Sequence, residues 1–381
     1  MIYRSVVIGA GPAGLATSYE LARLDVPHVV LERGPEVAHS WAHYYDSLVL
    51  HTTRSLSALP GLGFPSGTPT FPSRRDMVAY LRAYASHFSL PIRCGADVIS
   101  LTRGPDGWIA RTSTGDEYRA RTAVVATGIA ANPRVPPMAG RERFRGRVLH
   151  SADYHRPDEF GTSRVLVVGA GNSAGEIASE LASAGAQVTI AVRSGAHVVP
   201  LRLFGIPVQY FGVALEHVPR AWFNRITAVV ERFSFQSAKA AVLPRPPRKP
   251  CDSVPIIGGH LVDAIRDGRI RVARGVTELT VDGARFDDGT AHEFDAVILA
   301  TGFSAAIGLL GTAVSRDACG FASRVDRVVS RDADGLHFVG HSYGPGGSLY
   351  HMRADARRAA ALIRRGTSRT STETPPLPSE R

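Results

Sequence analysis

The segment VVIGAGPAGLATSYELARLDVPHVVLE, residues 6–32, restricts the fold more than any other part of the chain. A β-prone apolar run from Ser5 to Ile8 gives way to a glycine turn. Apolar residues at helical spacing then run from Pro12 to Leu24, and a second β-prone run, His28 to Leu31, ends in Glu32. That order predicts a βαβ unit. Gly9 suits the tight turn, Gly11 the close approach of a pyrophosphate to backbone, and Gly14 the packing of helix on strand. The phosphate charge then rests on the helix N-terminus at Pro12 and Ala13. Glu32 stands where a carboxylate accepts hydrogen bonds from a ribose, with Arg33 beside it.

The same pattern restarts at VLVVGAGNSAGEIASELASAGAQVTIAVR, residues 165–193, an internal repeat of the first unit. Gly169 and Gly171 recur, Asn172 and Ser173 open the helix, and the third position holds Ala174, which the fingerprint tolerates. The second strand leads here to Arg193 instead of an acid. A guanidinium suits a 2′-phosphate that a carboxylate would repel. The expected fold class is therefore α/β, with two Rossmann-like dinucleotide-binding domains, the first for FAD and the second for NADPH.

Composition removes other classes. The net charge of +10 raises the question of nucleic acid, but Lys239 and Lys249 are the only lysines, the arginines are scattered, and the densest basic run, RPPRKP, is short and Pro-broken. Cys94, Cys251 and Cys319 are far apart and form no CxxC or zinc spacing, which fits a reducing cytoplasm. No stretch reaches the roughly 18 apolar residues needed to span a bilayer, so no membrane association is expected.

The remaining chain divides around the repeat. A helix capped by Ser73 is expected through Phe88, antiparallel strands from Ile92 to Arg119, and a closing helix around Ala354 to Arg364. The FAD-binding domain is expected to be discontinuous, at 1–155 and 291–365. An NADPH-binding domain at 156–290 carries an aromatic, helical insertion at about 200–250, and the polar tail 366–381 reads as disordered. Two ATG segments, Ala126-Thr127-Gly128 and Ala300-Thr301-Gly302, follow β-rich runs where the chain would pass between domains. The first is assigned, with Val98, to the FAD site. Thr301 and Gly302 are assigned to the NADPH site or the domain junction.

Between the two glycine signatures lies FRGRVLHSADY, residues 144–154. Phe144, Gly146, His150 and Tyr154 match the pattern FxGxxxHxxx(Y/F), and the chain resembles the class B flavin-dependent monooxygenases. Within that class it is similar to the flavin-containing monooxygenases and the YUCCA-type indole-3-pyruvate monooxygenases of plants. SWAHYYDSLVLHT, FPSRRDMVAYLRAYASHF, VRSGAHVVP and LATGF add to the likeness, which extends to about residue 365. Tyr154 favours these groups over Baeyer–Villiger relatives, whose pattern usually ends in Trp. The resemblance implies that NADPH reduces FAD and that O2 adds to the flavin. The resulting flavin peroxide passes one oxygen atom to a small or medium organic substrate by N/S-oxygenation, hydroxylation or α-keto acid decarboxylation. It also implies that Trp41 flanks the flavin. Animal-type enzymes carry an Asn in a TN-type segment where this chain reads HTTRSL, leaving Thr53 and Arg54 as the nearest candidates for its role. His150 is a candidate for a polar role near the cofactors, although a histidine that holds two domains in register fits better. Phe204, Tyr210, Phe211, Trp222 and Phe223 would line an apolar entrance or pack as ordinary helix residues.

A reductase that passes electrons to a protein or small-molecule acceptor without oxygenation has the same architecture, as does a flavoprotein that senses redox state. A homodimer is compatible with such a chain.

Overall fold

The computed structural model describes residues 2–366 apart from 131, 217, 220, 223–224, 227–241, 245–254, 319, 343 and 345. Phe223, much of the 200–250 insertion and the tail beyond 366 lie outside the described residues.

Val6, Val7 and Ile8 alternate with no polar partner because both faces of their strand, Ile2–Ile8, are covered. This strand is the centre of a seven-stranded sheet ordered 92–93, 28–31, 2–8, 117–125, 107–112, 98–104, with Leu336–Phe338 also paired to Glu117–Val125. The first four strands and Leu336–Phe338 are parallel; Gly107–Thr112 and Val98–Gly104 form the expected antiparallel extension. Helix Pro12–Arg23 covers one face and packs against helix Ser348–Arg365 through the fully buried Ala356, Ala359 and Ala360, whose small size allows a close approach. That closing helix starts earlier than its apolar periodicity predicts. Gly347, at φ 91°, makes the turn that lets it begin at Ser348.

Helix Arg74–His87 is capped as expected. Ser73 Oγ accepts from Asp76 N at 3.2 Å and Asp76 Oδ2 accepts from Ser73 N at 2.9 Å, a reciprocal pair that contributes about 1 kcal/mol.

The second sheet is parallel throughout, in the order 270–273, 187–191, 164–168, 296–299, 147–150. Val165, Val167, Ile177, Leu181, Ile190 and Ile298 make its core with helix Asn172–Ser183. Sheet membership corrects the expected junctions at 155 and 290. Arg147–His150 and Ala296–Leu299, grouped by sequence with the first sheet, hydrogen-bond in the second. The pairing is decided by register between distant strands, Val297 lying between Val148 and Leu166, and local pattern carries no trace of it. Three short antiparallel strands, 276–279, 283–286 and 291–293, flank this sheet.

In the 200–250 segment the described part is a tight hairpin, Arg202–Leu203 with Ile206–Pro207, followed by helix Val208–Leu215. Phe204 at its tip is 91% exposed at φ 52°, so it packs against nothing. Trp222 is also mostly exposed. Among the described residues no helix is long and apolar enough to cross a membrane.

Candidate functional site

The first glycine turn is shaped by its own backbone. Gly9 sits at φ 105°, and a Cβ there would lie 2.7 Å from the Ala126 carbonyl oxygen. A Cβ on Gly14 would lie 1.8 Å from the Gly9 carbonyl oxygen. Gly11 differs, since a Cβ there would meet nothing within 4 Å. Two of the glycines are thus required by the fold, and the third faces open space at the start of helix Pro12–Arg23. That helix start has no side-chain cap and no acid in its first turn. Uncapped N–H groups beside a glycine that opens to space fit an anionic diphosphate.

The second turn repeats this geometry. Gly169, at φ 137°, would place a Cβ 2.3 Å from the Ala300 carbonyl oxygen, and Gly171 again faces open space. Helix Asn172–Ser183 likewise begins with no side-chain cap. Asn172 faces elsewhere: its Nδ2 donates to the Pro255 carbonyl at 3.0 Å and its Oδ1 accepts from Ile257 N at 2.8 Å. Ala174, at the third position, is fully buried in the core of the second sheet.

Glu32 is buried at the end of its strand. Its Oε2 accepts from Ala10 N at 2.7 Å and its Oε1 from Gly34 N at 2.9 Å, so the carboxylate holds the glycine turn and the strand end together. Arg33 beside it is exposed. Arg193 is exposed too. Its stem lies by Gly275, whose Cβ would be 3.3 Å from Arg193 Cγ, and its guanidinium has no hydrogen bond or ion pair among the described residues. Gly128 and Gly302 both take left-handed φ, at 81° and 85°, with open space where a Cβ would stand. Thr127 Oγ1 donates to the Ala306 carbonyl at 2.7 Å, and Thr301 Oγ1 donates to the Arg134 carbonyl. Trp41 is half-buried against the first core with Tyr44 edge-on at 5.5 Å. Val98 is buried in the core of the first sheet, so its side chain is committed to packing.

The FxGxxxHxxxY motif spans the edge strand Arg147–His150. Phe144 packs beneath the second sheet, and Gly146 leaves only 2.5 Å between a Cβ and the Asp295 carbonyl oxygen. His150 is buried between Gly302 and Ala152, with the Phe303 ring edge-on at 5.0 Å. Burial lowers its pKa, offset in part by the bond to Gly302. Tyr154 is 1% exposed and donates to Glu180 at 2.8 Å.

The HTTRSL segment gives its two candidates different surroundings. Thr53 is buried, and its Oγ1 lies 3.0 Å from Ser55 Oγ and donates to Tyr210 Oη at 3.2 Å. Ser55 Oγ is 2.6 Å from the same phenol, and these bonds, Ser55's foremost, lower the Tyr210 pKa. Arg54 instead turns outward to the Thr68 carbonyl, so it is not brought together with Thr53. Tyr210 belongs to helix Val208–Leu215, which also reaches the loop before the closing helix. Glu216, just past the helix end, accepts from Gly346 N at 3.2 Å and pairs with His351 at 2.8 Å. Gly340 in that region would place a Cβ 2.8 Å from Ala13 Cβ, so this loop stands over the first glycine turn.

Sequence reading missed a further group. Glu176 accepts from the Tyr45 hydroxyl and pairs with His51 Nε2 at 2.5 Å. Burial, then the Glu176 charge, pushes the Tyr45 phenol up. SWAHYYDSLVLHT and GAGNSAGE contain these residues, but neither motif says that they meet.

Comparison with known proteins agrees with this arrangement. The Stenotrophomonas maltophilia flavin-containing monooxygenase superposes with a TM-score of 0.73 over 94% of this chain and 97% of that one, at 24% identity. The bacillithiol disulfide reductase of Staphylococcus aureus superposes with a TM-score of 0.70 at 17% identity, covering 96% of this chain and 98% of its own, so the fold alone does not choose between oxygenase and reductase. A model of the pyridine nucleotide-disulphide oxidoreductases matches residues 6–199. At the level of sequence, indole-3-pyruvate monooxygenase YUCCA1 of Oryza sativa subsp. japonica is 37% identical over 311 residues, 78% of this chain and 76% of its own. YUCCA8 of Oryza sativa subsp. indica is 34% identical over 385 residues, 94% of this chain and 90% of its own. The protein is a flavin-dependent monooxygenase. Within that class, the chain belongs to the family of the YUCCA indole-3-pyruvate monooxygenases.

Proposed function

We propose that the chain binds FAD at the first glycine turn and NADPH at the second, in two Rossmann-like domains, and oxygenates a small organic substrate. The first domain takes the residues around Gly9–Gly14 and Ala126–Gly128 with the returning strand Leu336–Phe338. The second takes those around Gly169–Ala174. α-Keto acids related to indole-3-pyruvate are the substrate class favoured by the relatives' names. The observation that carries the reading is the duplicated turn, in which Gly11 and Gly171 alone face open space at uncapped helix starts, joined to an acid in one copy and, in the other, to an exposed arginine with no partner among the described residues.

A bound flavin supplies the electron transfer to O2 and the delivery of oxygen to carbon or a heteroatom. The chain's own residues bind and enclose. Backbone N–H groups at Ala13 and Gly14, and at Asn172–Ala174, would hold the diphosphates, while Glu32 fixes the turn against its strand. Arg193 holds the 2′-phosphate of NADPH by a charged hydrogen bond. Thr53, Ser55 and Tyr210 form a hydroxyl cluster that would face the substrate, with Thr53 buried and Ser55 and Tyr210 open to solvent.

Cys94, Cys251 and Cys319 form no CxxC or CxxxxC spacing, so the sequence carries no local dithiol motif for the disulfide chemistry in the broader family's name. The decisive experiment is turnover of indole-3-pyruvate and of simple amines and sulfides with NADPH under ¹⁸O2. Labelled product from at least one is expected. NADPH oxidation without label in any product would leave a reductase.

A further inference from the structure

Helix Asn172–Ser183 carries two acids one turn apart, Glu176 and Glu180, which therefore lie on one face. Both are taken by tyrosines. Tyr45 donates to Glu176 and Tyr154 donates to Glu180 at 2.8 Å, and the two tyrosine rings lie 6.2 Å apart. His51 Nε2 adds a third contact, 2.5 Å from Glu176 Oε1. Tyr45 and His51 come from the loop that continues directly into Thr53, while Glu176 follows the second glycine turn by one residue. Tyr45 and Tyr154 are almost completely buried, so their hydroxyls need these partners.

We propose that Glu176, gripped by Tyr45 and His51, is a positioning residue that locks the second glycine-turn helix onto the Thr53 loop and so sets the distance for hydride transfer between the two nucleotides. The proposal rests on the reading that NADPH occupies the second turn. Glu176 touches neither nucleotide in this scheme. It fixes the axis of the helix whose N-terminus holds one of them, relative to the loop beside the other. A misplacement of about 1 Å costs on the order of 100-fold in rate when reacting atoms must lie about 3–3.5 Å apart. Tyr154–Glu180 is a second anchor one turn along, which keeps the helix folded against its sheet while its N-terminal turn is free to shift when the first is removed.

The test is anaerobic stopped-flow reduction of the flavin by NADPH in the holoenzyme. Glu176→Ala should slow the limiting reduction rate at least 10-fold, with the NADPH dissociation constant within 3-fold of wild type and unchanged flavin content. Glu176→Gln keeps an acceptor for Tyr45 and should recover most of the rate. His51→Leu should fall between them. An unchanged limiting rate in Glu176→Ala overturns the inference and leaves the cofactor assignment standing, as does a loss seen only in NADPH affinity. A failure of Glu176→Gln to recover any rate also overturns it. Wild-type protein whose flavin NADPH does not reduce overturns both.

Discussion

His150 donates from Nε2 to the Gly302 carbonyl at 3.1 Å while its Nδ1 accepts from Ala152 N at 3.1 Å. Both ring nitrogens are spent on backbone, which assigns the Nε2–H tautomer and joins the motif strand to the second ATG turn. His150→Ala should lower stability by about 1–3 kcal/mol, the loss of two hydrogen bonds to backbone at about 0.5–1.5 kcal/mol each. The pH profile of kcat/KM should keep its shape. Disappearance of an ionisation from that profile would assign His150 an acid–base role instead.

Arg193 tests the choice of nicotinamide cofactor. Its exposed guanidinium is free of partners among the described residues, so Arg193→Ala should leave the melting temperature unchanged. KM for NADPH should rise about 10- to 100-fold, equal to a lost charged hydrogen bond of about 1.5–3 kcal/mol, with little change for NADH. An unaltered preference between the two would remove the 2′-phosphate contact.

Gly9 and Gly11 separate fold from ligand. Gly9→Ala meets the Ala126 carbonyl at 2.7 Å in a left-handed conformation and should destabilise the protein by roughly 1–3 kcal/mol or more. Gly11→Ala places its Cβ where no protein atom lies within 4 Å, so the flavin-free protein should melt as wild type does while flavin affinity falls at least 10-fold. Titration of both apoproteins with FAD reads the difference.

Two buried histidines set the acid limit of stability. Burial lowers His337 to about 4 and, with Arg324 nearby, His341 to about 3. Both are neutral when folded and take up protons near pH 6.5 when unfolded. The unfolded state therefore binds more protons between about pH 6.5 and pH 3, and stability should fall as pH drops through that window. Above it these groups add no slope. Denaturant midpoints from pH 8 to pH 5 should show the loss, and His341→Gln should make the slope shallower. An equal slope in the variant would assign the loss to other groups.

Local pattern revealed what local forces decide. The Ser73 cap and the helix behind it depend on residues within one turn of each other and stand where their spacing predicts, as do the glycine turns, although the Ala126 and Ala300 carbonyls that close on Gly9 and Gly169 come from far along the chain. Arg147–His150 and Ala296–Leu299 were grouped with the other sheet because parallel pairing joins strands far apart in the chain. Arg54 could not be told from Thr53 by composition, since only the turn at 53–54 sends one side chain inward and the other to Thr68. Glu176 reads as an ordinary helix acid until Tyr45 and His51 are brought to it by the tertiary fold. The hydroxyl cluster around Tyr210 was hidden for the same reason, because an aromatic in an apolar run gives no sign of what its phenol reaches.

The pairing of Leu336–Phe338 with Ala123–Val125 also bears on synthesis of the protein. Every strand of the second sheet precedes residue 300, so that sheet has all its partners while the last part of the chain is still within or just leaving the ribosome. The first sheet must wait, with the Ala123–Val125 stretch of its strand unpaired on one side until the returning strand arrives across the second unit. The earliest-translated fingerprint is thus the later one to mature, and its sheet carries an open edge, the form of exposed backbone that invites aggregation, until the chain returns.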